Sequence, residues 1–92
     1  MPRRRLRVPD EIRASIVGLP PDIKKKVRAA LGSVLDDPDI GDPLRDRLIG
    51  YRRIRIGRWR LVYRQNAHVV EVLAIGPRAT VYDDLLALLG RR

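Results

Sequence analysis

An α+β fold, with helices packed on an antiparallel β-sheet, is what this sequence predicts, and changes in the period of its apolar residues predict it. Apolar residues recur at helical spacing through residues 10–35, alternate with a period of two between Tyr51 and Ile75, and return to helical spacing from Ala79 onward. The predicted order is strand, helix, helix, three strands, helix (β-α-α-β-β-β-α). A chain of 92 residues supports one core and not two, so the sequence predicts a compact single domain spanning 1–92.

Arg3 to Val8 alternate basic and apolar side chains, as a short edge strand would, with Leu6 and Val8 inward and Pro9 at the exit. Asp10 can cap a helix whose apolar positions Ile12, Ile16 and Leu19 are spaced by four and three, and Gly18, Pro20 and Pro21 end it. Pro21 suits a first helical turn, and Ile23, Val27, Leu31, Val34 and Leu35 then form one stripe. The opposite face, with Lys24, Lys25, Lys26 and Arg28, reads as solvated. Asp36 to Asp46 is rich in turn residues and holds five of the eleven acids, a loop expected to keep them apart from the basic cluster that follows.

Tyr51–Ile56, Trp59–Arg64 and His68–Ile75 then read as a three-stranded antiparallel meander joined at Gly57-Arg58 and Asn66-Ala67. The last segment, Ala79–Leu89, sets Tyr82, Leu85, Leu86 and Leu89 on one stripe, and Gly90 closes it. If Gly57-Arg58 is a two-residue type II′ turn, Ile56 pairs with Trp59, Arg55 with Arg60, Ile54 with Leu61 and Arg53 with Val62. One face then carries Ile54, Ile56, Trp59, Leu61 and Tyr63, and the other Arg53, Arg55 and Arg60 with Val62. Carried through Asn66-Ala67, the same register puts Arg60 near Leu73.

Six arginines and no acid lie between Arg52 and Arg64. Like charges directly opposite in a sheet are unfavourable, so stability does not ask for this arrangement. A phosphate chain does, because guanidinium forks bind its oxygens in bidentate fashion. Twenty basic against eleven acidic residues, for a net charge of +9, point the same way, toward a polyanion. Seventeen arginines against three lysines also fit the codon bias of a GC-rich genome, which by itself produces no excess of positive charge. The absence of cysteine excludes disulfides and thiolate metal sites, and His68 alone makes no zinc site, so no metal and no cofactor are expected. No apolar run is long enough to span a membrane and the N-terminus has no secretory pattern, so no membrane partner and a cytoplasmic location are expected.

The run Tyr51-Arg52-Arg53-Ile54-Arg55-Ile56-Gly57-Arg58-Trp59-Arg60-Leu61-Val62-Tyr63-Arg64, with Ile75-Gly76-Pro77-Arg78 and Val81-Tyr82 after it, resembles the C-terminal half of RelE-type toxins in the RelE/ParE superfamily. Leu19-Pro20-Pro21 between two helices and Asp37-Pro38 after the second extend the resemblance over nearly the whole chain. It implies the toxin of a type II toxin–antitoxin pair that cleaves messenger RNA (mRNA), engaged on the ribosome in the best-known members, and is held inactive by a cognate, acidic antitoxin. By the same resemblance Arg53 and Arg55 match basic residues on the RNA backbone and Arg60 the arginine that neutralises the scissile phosphate. Arg78 matches a second arginine near the leaving group, and Tyr82 the aromatic that stacks on the nucleotide. Arg52, Arg58 and Arg64 complete the RNA-binding set.

The implied chemistry is attack of a ribose 2′-hydroxyl on the neighbouring phosphate, with preorganised arginines stabilising the charge that builds on its oxygens. Arginine does not give up its proton, so neither Arg53 nor Arg55 serves as general base. His68 falls in a turn away from the cluster, as a surface histidine, and Tyr82 is either a core residue of its stripe or a stacking platform. Two alternatives stay open beside the endoribonuclease: a ParE-like poison of DNA gyrase acting through a protein interface, and an RNA-binding relative that does not cut.

Overall fold

The period-two stretches form the middle of the molecule. In the computed structural model, which describes residues 3–90, β3 (Arg52–Ile56), β4 (Trp59–Gln65) and β5 (Val69–Pro77) make an antiparallel meander. Two short strands extend it: β1 (Arg5–Arg7) runs parallel to β5, and β2 (Asp42–Pro43) antiparallel to β3. The five strands lie in the order β1-β5-β4-β3-β2, a mixed sheet in which β1 is the parallel member.

Alternation along β3 and β4 gives the sheet two working faces. Helices α1 (Asp10–Val17) and α2 (Pro21–Asp36) cover the one that carries Ile54, Ile56, Trp59 and Leu61, with Val27 and Val34 of α2 fully buried against it. Helix α3 (Val81–Leu89) lies on the other, where Val62 and Ala74 meet Leu48, Val81 and Leu85. Pro21 opens α2 as its fixed φ allows. Asp10 is the first helical residue after Pro9 and makes no capping bond; its charge sits in the first turn, where it favours the helix dipole. Val8 packs against α1 and α2 as expected, whereas Leu6 stays 36% exposed because the three-residue β1 edges the sheet without a helix over it.

The first hairpin has the predicted register, with Gly57 at φ 58° and Arg55 directly opposite Arg60. The second differs. Asn66 Oδ1 accepts the backbone N–H groups of His68 and Val69, each at 2.8 Å, which widens the turn. A bulge then sets Val62 opposite Ala74 and Tyr63 opposite Val72, leaving Leu73 as an extra residue. Arg60 therefore faces Gly76, not Leu73. That shift brings the exit of β5 and the start of α3 up beside the arginines.

Tyr63, fully buried, ties the turn-rich loop down: its hydroxyl donates to the Pro38 carbonyl at 2.7 Å and accepts the Gly41 N–H at 3.0 Å. Glycine is required there, since a Cβ on Gly41 would lie 2.6 Å from the Tyr63 hydroxyl. Burial raises the Tyr63 pKa, against the Gly41 N–H, which lowers it. Held in this way, the loop delivers Asp42 to the sheet opposite Arg53.

Candidate functional site

The charged end of the α3 face brings together Arg53 and Arg55 from β3, Arg60 from β4, Arg78 from the segment after β5, and Tyr82 from the first turn of α3. The five line one small cavity of about 180 Å3. Strand alternation aims the first three at the same side, and the short Pro77–Thr80 connection places the other two.

Arg60 is only 7% exposed and has no carboxylate partner among the described residues; its Nη1 donates to the carbonyls of Gly57 at 2.7 Å and Trp59 at 2.8 Å. Those bonds fix the guanidinium without neutralising it. Arg53 Nη1 donates to the Tyr82 hydroxyl at 3.3 Å, so Tyr82 packs on the α3 core and holds a site arginine at once. This hydrogen bond is the main cause of a raised Arg53 pKa, opposed by burial and helped by Asp42. Arg53 Nε is buried with no hydrogen-bond partner, a donor left for an incoming oxygen. Arg55 is exposed at the rim.

The remaining arginines of the predicted RNA-binding set lie elsewhere. Arg52 is on the helix-covered side of β3, where its Nη1 donates to the carbonyls of Asp39 at 3.1 Å and Gly41 at 2.8 Å. Arg64 points to the same side as Arg60 but four residues farther along, bonded to Glu71 at 2.8–2.9 Å and lying 6.0 Å from the Tyr51 ring centre. Arg58 is at the exposed tip of the first hairpin. His68 is exposed in the second turn, far along β4 from Arg60.

One acid joins the cluster, contrary to the expectation that the loop keeps its acids apart. Asp42 Oδ2 stands 3.6 Å from Arg53 Nε and 3.7 Å from Arg55 Nε, and with both arginines and Tyr82 it lines a broader cavity of about 650 Å3. Nothing in the periodicity marks Asp42, because a two-residue strand has no period. The only sequence signal is an acid ten residues ahead of a basic strand, beside a loop-forming Gly41 and Pro43. No three of His, Cys, Asp or Glu come together in metal-binding geometry among the described residues.

The arrangement suits an anion: four guanidinium groups and one aromatic ring surround a shallow cavity, and Asp42 lies in the broader one that shares Arg53, Arg55 and Tyr82 with it. The surrounding fold is that of RelE toxins. The isolated RelE toxin of E. coli superposes with a TM-score of 0.71 at 22% identity, covering 94% of this chain and 98% of that one. A chain of the toxin–antitoxin complex RelBE2 from Mycobacterium tuberculosis is 31% identical with a TM-score of 0.71, covering 84% of this chain and 100% of that one. The archaeal RelE–RelB complex from Pyrococcus horikoshii gives 0.69 at 18% identity, over 86% of this chain and 99% of that one. Residues 4–82 match the family model of the ParE toxin of type II toxin–antitoxin systems, parDE, and the chain belongs to this ParE/RelE toxin family. No curated protein matches it.

Proposed function

We propose that this toxin is an endoribonuclease that cuts mRNA, on the ribosome, without a metal, through attack of a ribose 2′-hydroxyl on the adjacent phosphorus. The observation that carries the reading is the convergence of Arg53, Arg55, Arg60, Arg78 and Tyr82 on one cavity, with Arg60 buried and unpaired by any acid. A buried cation without an anion is costly unless something neutralises it, and a phosphate does.

In the proposed reaction the 2′ oxygen forms a bond to phosphorus while the bond to the 5′ oxygen breaks, leaving a cyclic phosphate and a 5′ oxygen that takes a proton from water to become a hydroxyl end. Arg60 and Arg53 stabilise the negative charge on the nonbridging oxygens, Arg78 attends the departing 5′ oxygen, and Tyr82 stacks on a base. Asp42 takes the proton of the 2′-hydroxyl, the role no arginine can fill. The partners are mRNA, the ribosome and a cognate antitoxin, acidic where it covers the arginines. That pairing follows the RelB complexes of the relatives, and the proposed location is the cytoplasm. Among the described residues no helix is long and apolar enough to cross a membrane.

The ParE family model favours a second reading, a gyrase poison acting through a protein interface. Expressing the toxin in cells and mapping 5′ ends of messages separates the two. Cuts inside reading frames, lost in Arg60→Ala, are the expected result; DNA damage without such cuts would establish the second reading instead.

A further inference from the structure

The small cavity and the broader one have Arg53, Arg55 and Tyr82 in common, and so form one cleft. Around it stand five arginines, Arg45 with the four of the small cavity, against two aspartates, Asp42 and Asp46, a surplus of three positive charges. One phosphodiester link brings a single negative charge. A phosphate monoester carries about 1.5 to 2 at neutral pH, and a nucleoside diphosphate, with one further charge on its inner phosphate, about 3. The room is divided to match. The small cavity, about 180 Å3, has the volume of about six waters at roughly 30 Å3 each, enough for the five heavy atoms of one phosphate group. At about 650 Å3 the broader part falls among ordinary small-ligand pockets, about 300–1,000 Å3, and Pro43, Leu44 and Leu48 give it an apolar surface on which a base can lie. At the junction Arg53 Nε is buried with no hydrogen-bond partner.

Charge alone also suits two consecutive links of an RNA strand, and Asp46 decides between them. Among the described residues it is the one non-glycine residue with a left-handed backbone, φ 56°, held there by the Ile49 N–H, which donates to its carbonyl at 3.2 Å. Its side chain makes no hydrogen bond or ion pair among the described residues, yet it lines the broader cavity with Arg53 and Arg55. A free carboxylate accepts and does not donate, and two adjacent hydroxyls satisfy its two oxygens. An internal nucleotide of RNA has one free ribose hydroxyl, because the 3′ oxygen is spent on the next link. A free nucleoside 5′-phosphate has both.

We propose that this cleft binds a free nucleoside polyphosphate, its terminal phosphate among Arg53, Arg55, Arg60 and Arg78 and its ribose diol on Asp46, and that such a ligand inhibits the toxin by excluding RNA. The binding goes beyond the RNA-cleaving reading above, on which only the inhibition rests.

The probe is adenosine diphosphate, in EDTA so that it enters as the free anion. Its affinity is read by calorimetry, and competition by the anisotropy of a labelled 2′-O-methyl heptauridine, which resists attack by the 2′ oxygen and has no free diol. Wild-type toxin is expected to bind the diphosphate, which should raise the apparent Kd of the oligonucleotide in proportion to its concentration. The 2′,3′-dideoxy diphosphate, of equal charge, should bind about tenfold more weakly, the scale of a hydrogen bond to a charged group. Adenosine monophosphate, one phosphate shorter, should also bind about tenfold more weakly. Asp46→Gly suits the left-handed backbone and removes the carboxylate, so the ratio between the diphosphate and its dideoxy analogue should fall close to one. The comparisons between ligands use wild-type protein, so the proposal does not hang on a variant folding. Equal wild-type affinity for the diphosphate and its dideoxy analogue, or a ratio that survives Asp46→Gly, overturns the assignment. Oligonucleotide binding untouched by saturating diphosphate overturns it too and leaves the RNA reading intact. Failure of the oligonucleotide alone, with the diphosphate bound as described, overturns the RNA reading and supports the nucleotide site.

Discussion

Arg60 sits at 7% exposure with two carbonyl partners, opposite another arginine. Its removal strips two hydrogen bonds, each with a net worth of about 1 kcal/mol, and relieves a cross-strand repulsion of up to about 1 kcal/mol, so a net loss of about 1 kcal/mol remains. Arg60→Ala is therefore expected to lower the urea midpoint modestly while lowering cleavage by about a hundredfold or more, the scale of losing one charge-stabilising donor. Arg60→Lys keeps the charge without the fork and should fall between the two; titrating toxicity against induction level for the three proteins checks the order. Asp42 makes the opposite kind of prediction. As an anion 3.6–3.7 Å from two site arginines it competes with phosphate, and in the proposed reaction it takes the proton. Asp42→Asn should bind RNA more tightly and cut it more slowly, so that KM and kcat both fall in single-turnover and steady-state assays. Unchanged cleavage by this variant would remove Asp42 from the proton transfer. Arg60 was legible in the sequence because strand parity fixes its side; Asp42 was not, because its place depends on a contact with a tyrosine 21 residues away.

That contact belongs to the scale of elements, where β2 is a two-residue strand held chiefly by what surrounds it. Tyr63→Phe leaves the Gly41 N–H and Pro38 carbonyl, both bonded to the hydroxyl, without that partner in a buried setting, at a cost of about 1–3 kcal/mol. The expected result is a lower urea midpoint together with slower cleavage, since Asp42 loses its anchor; hydrogen exchange at Gly41 should quicken in the same variant. Alkali does the same reversibly. The folded-state pKa of Tyr63 is raised above the ordinary 10.0, so the folded state holds its proton longer than the unfolded chain. The stability this confers is complete below about pH 10 and is lost as pH rises through the higher folded value. Wild type should lose stability across that window more steeply than Tyr63→Phe, as urea titrations at successive pH values would show. The two hairpins explain why the elements were legible to different depths. In the first, Gly57 fixes both turn type and register. In the second, the Asn66 side chain widens the turn and Leu73 bulges, and neither event disturbs the apolar alternation from which the strand was read. The helices followed their stripes, whereas the direction of β1 has no signature in three residues.

For the molecule as a whole, the surplus of positive charge is large and its acids are unevenly spent. Asp36, Asp39, Asp42 and Glu71 pair with Arg3, Arg52, Arg53, Arg55, Arg7 and Arg64, while Arg58, Arg60 and Arg78 have no acid partner among the described residues. Arg60 and Arg78 thus leave the small cavity with positive charge that no carboxylate offsets. Free toxin should bind single-stranded RNA with steep salt dependence, because every phosphate neutralised releases counterions at about 0.7 log units per contact. Four arginines at the cavity imply a log–log slope of about 3, and removing Arg55 or Arg78 should lower it by less than one unit each. Cleavage of naked RNA should be slow, since in-line geometry is left to whatever holds the strand. The ribosome supplies that geometry in the proposed reaction, so programmed ribosomes should raise the rate far more than they raise affinity. The residual rate on naked RNA should survive EDTA, because the charge-stabilising groups proposed here are guanidiniums. Measuring cleavage of one message with and without ribosomes, in EDTA and in magnesium, tests each step. Fast cutting of free RNA that EDTA abolishes, and that persists without Arg60 and Arg78, would place the chemistry on groups other than this cavity.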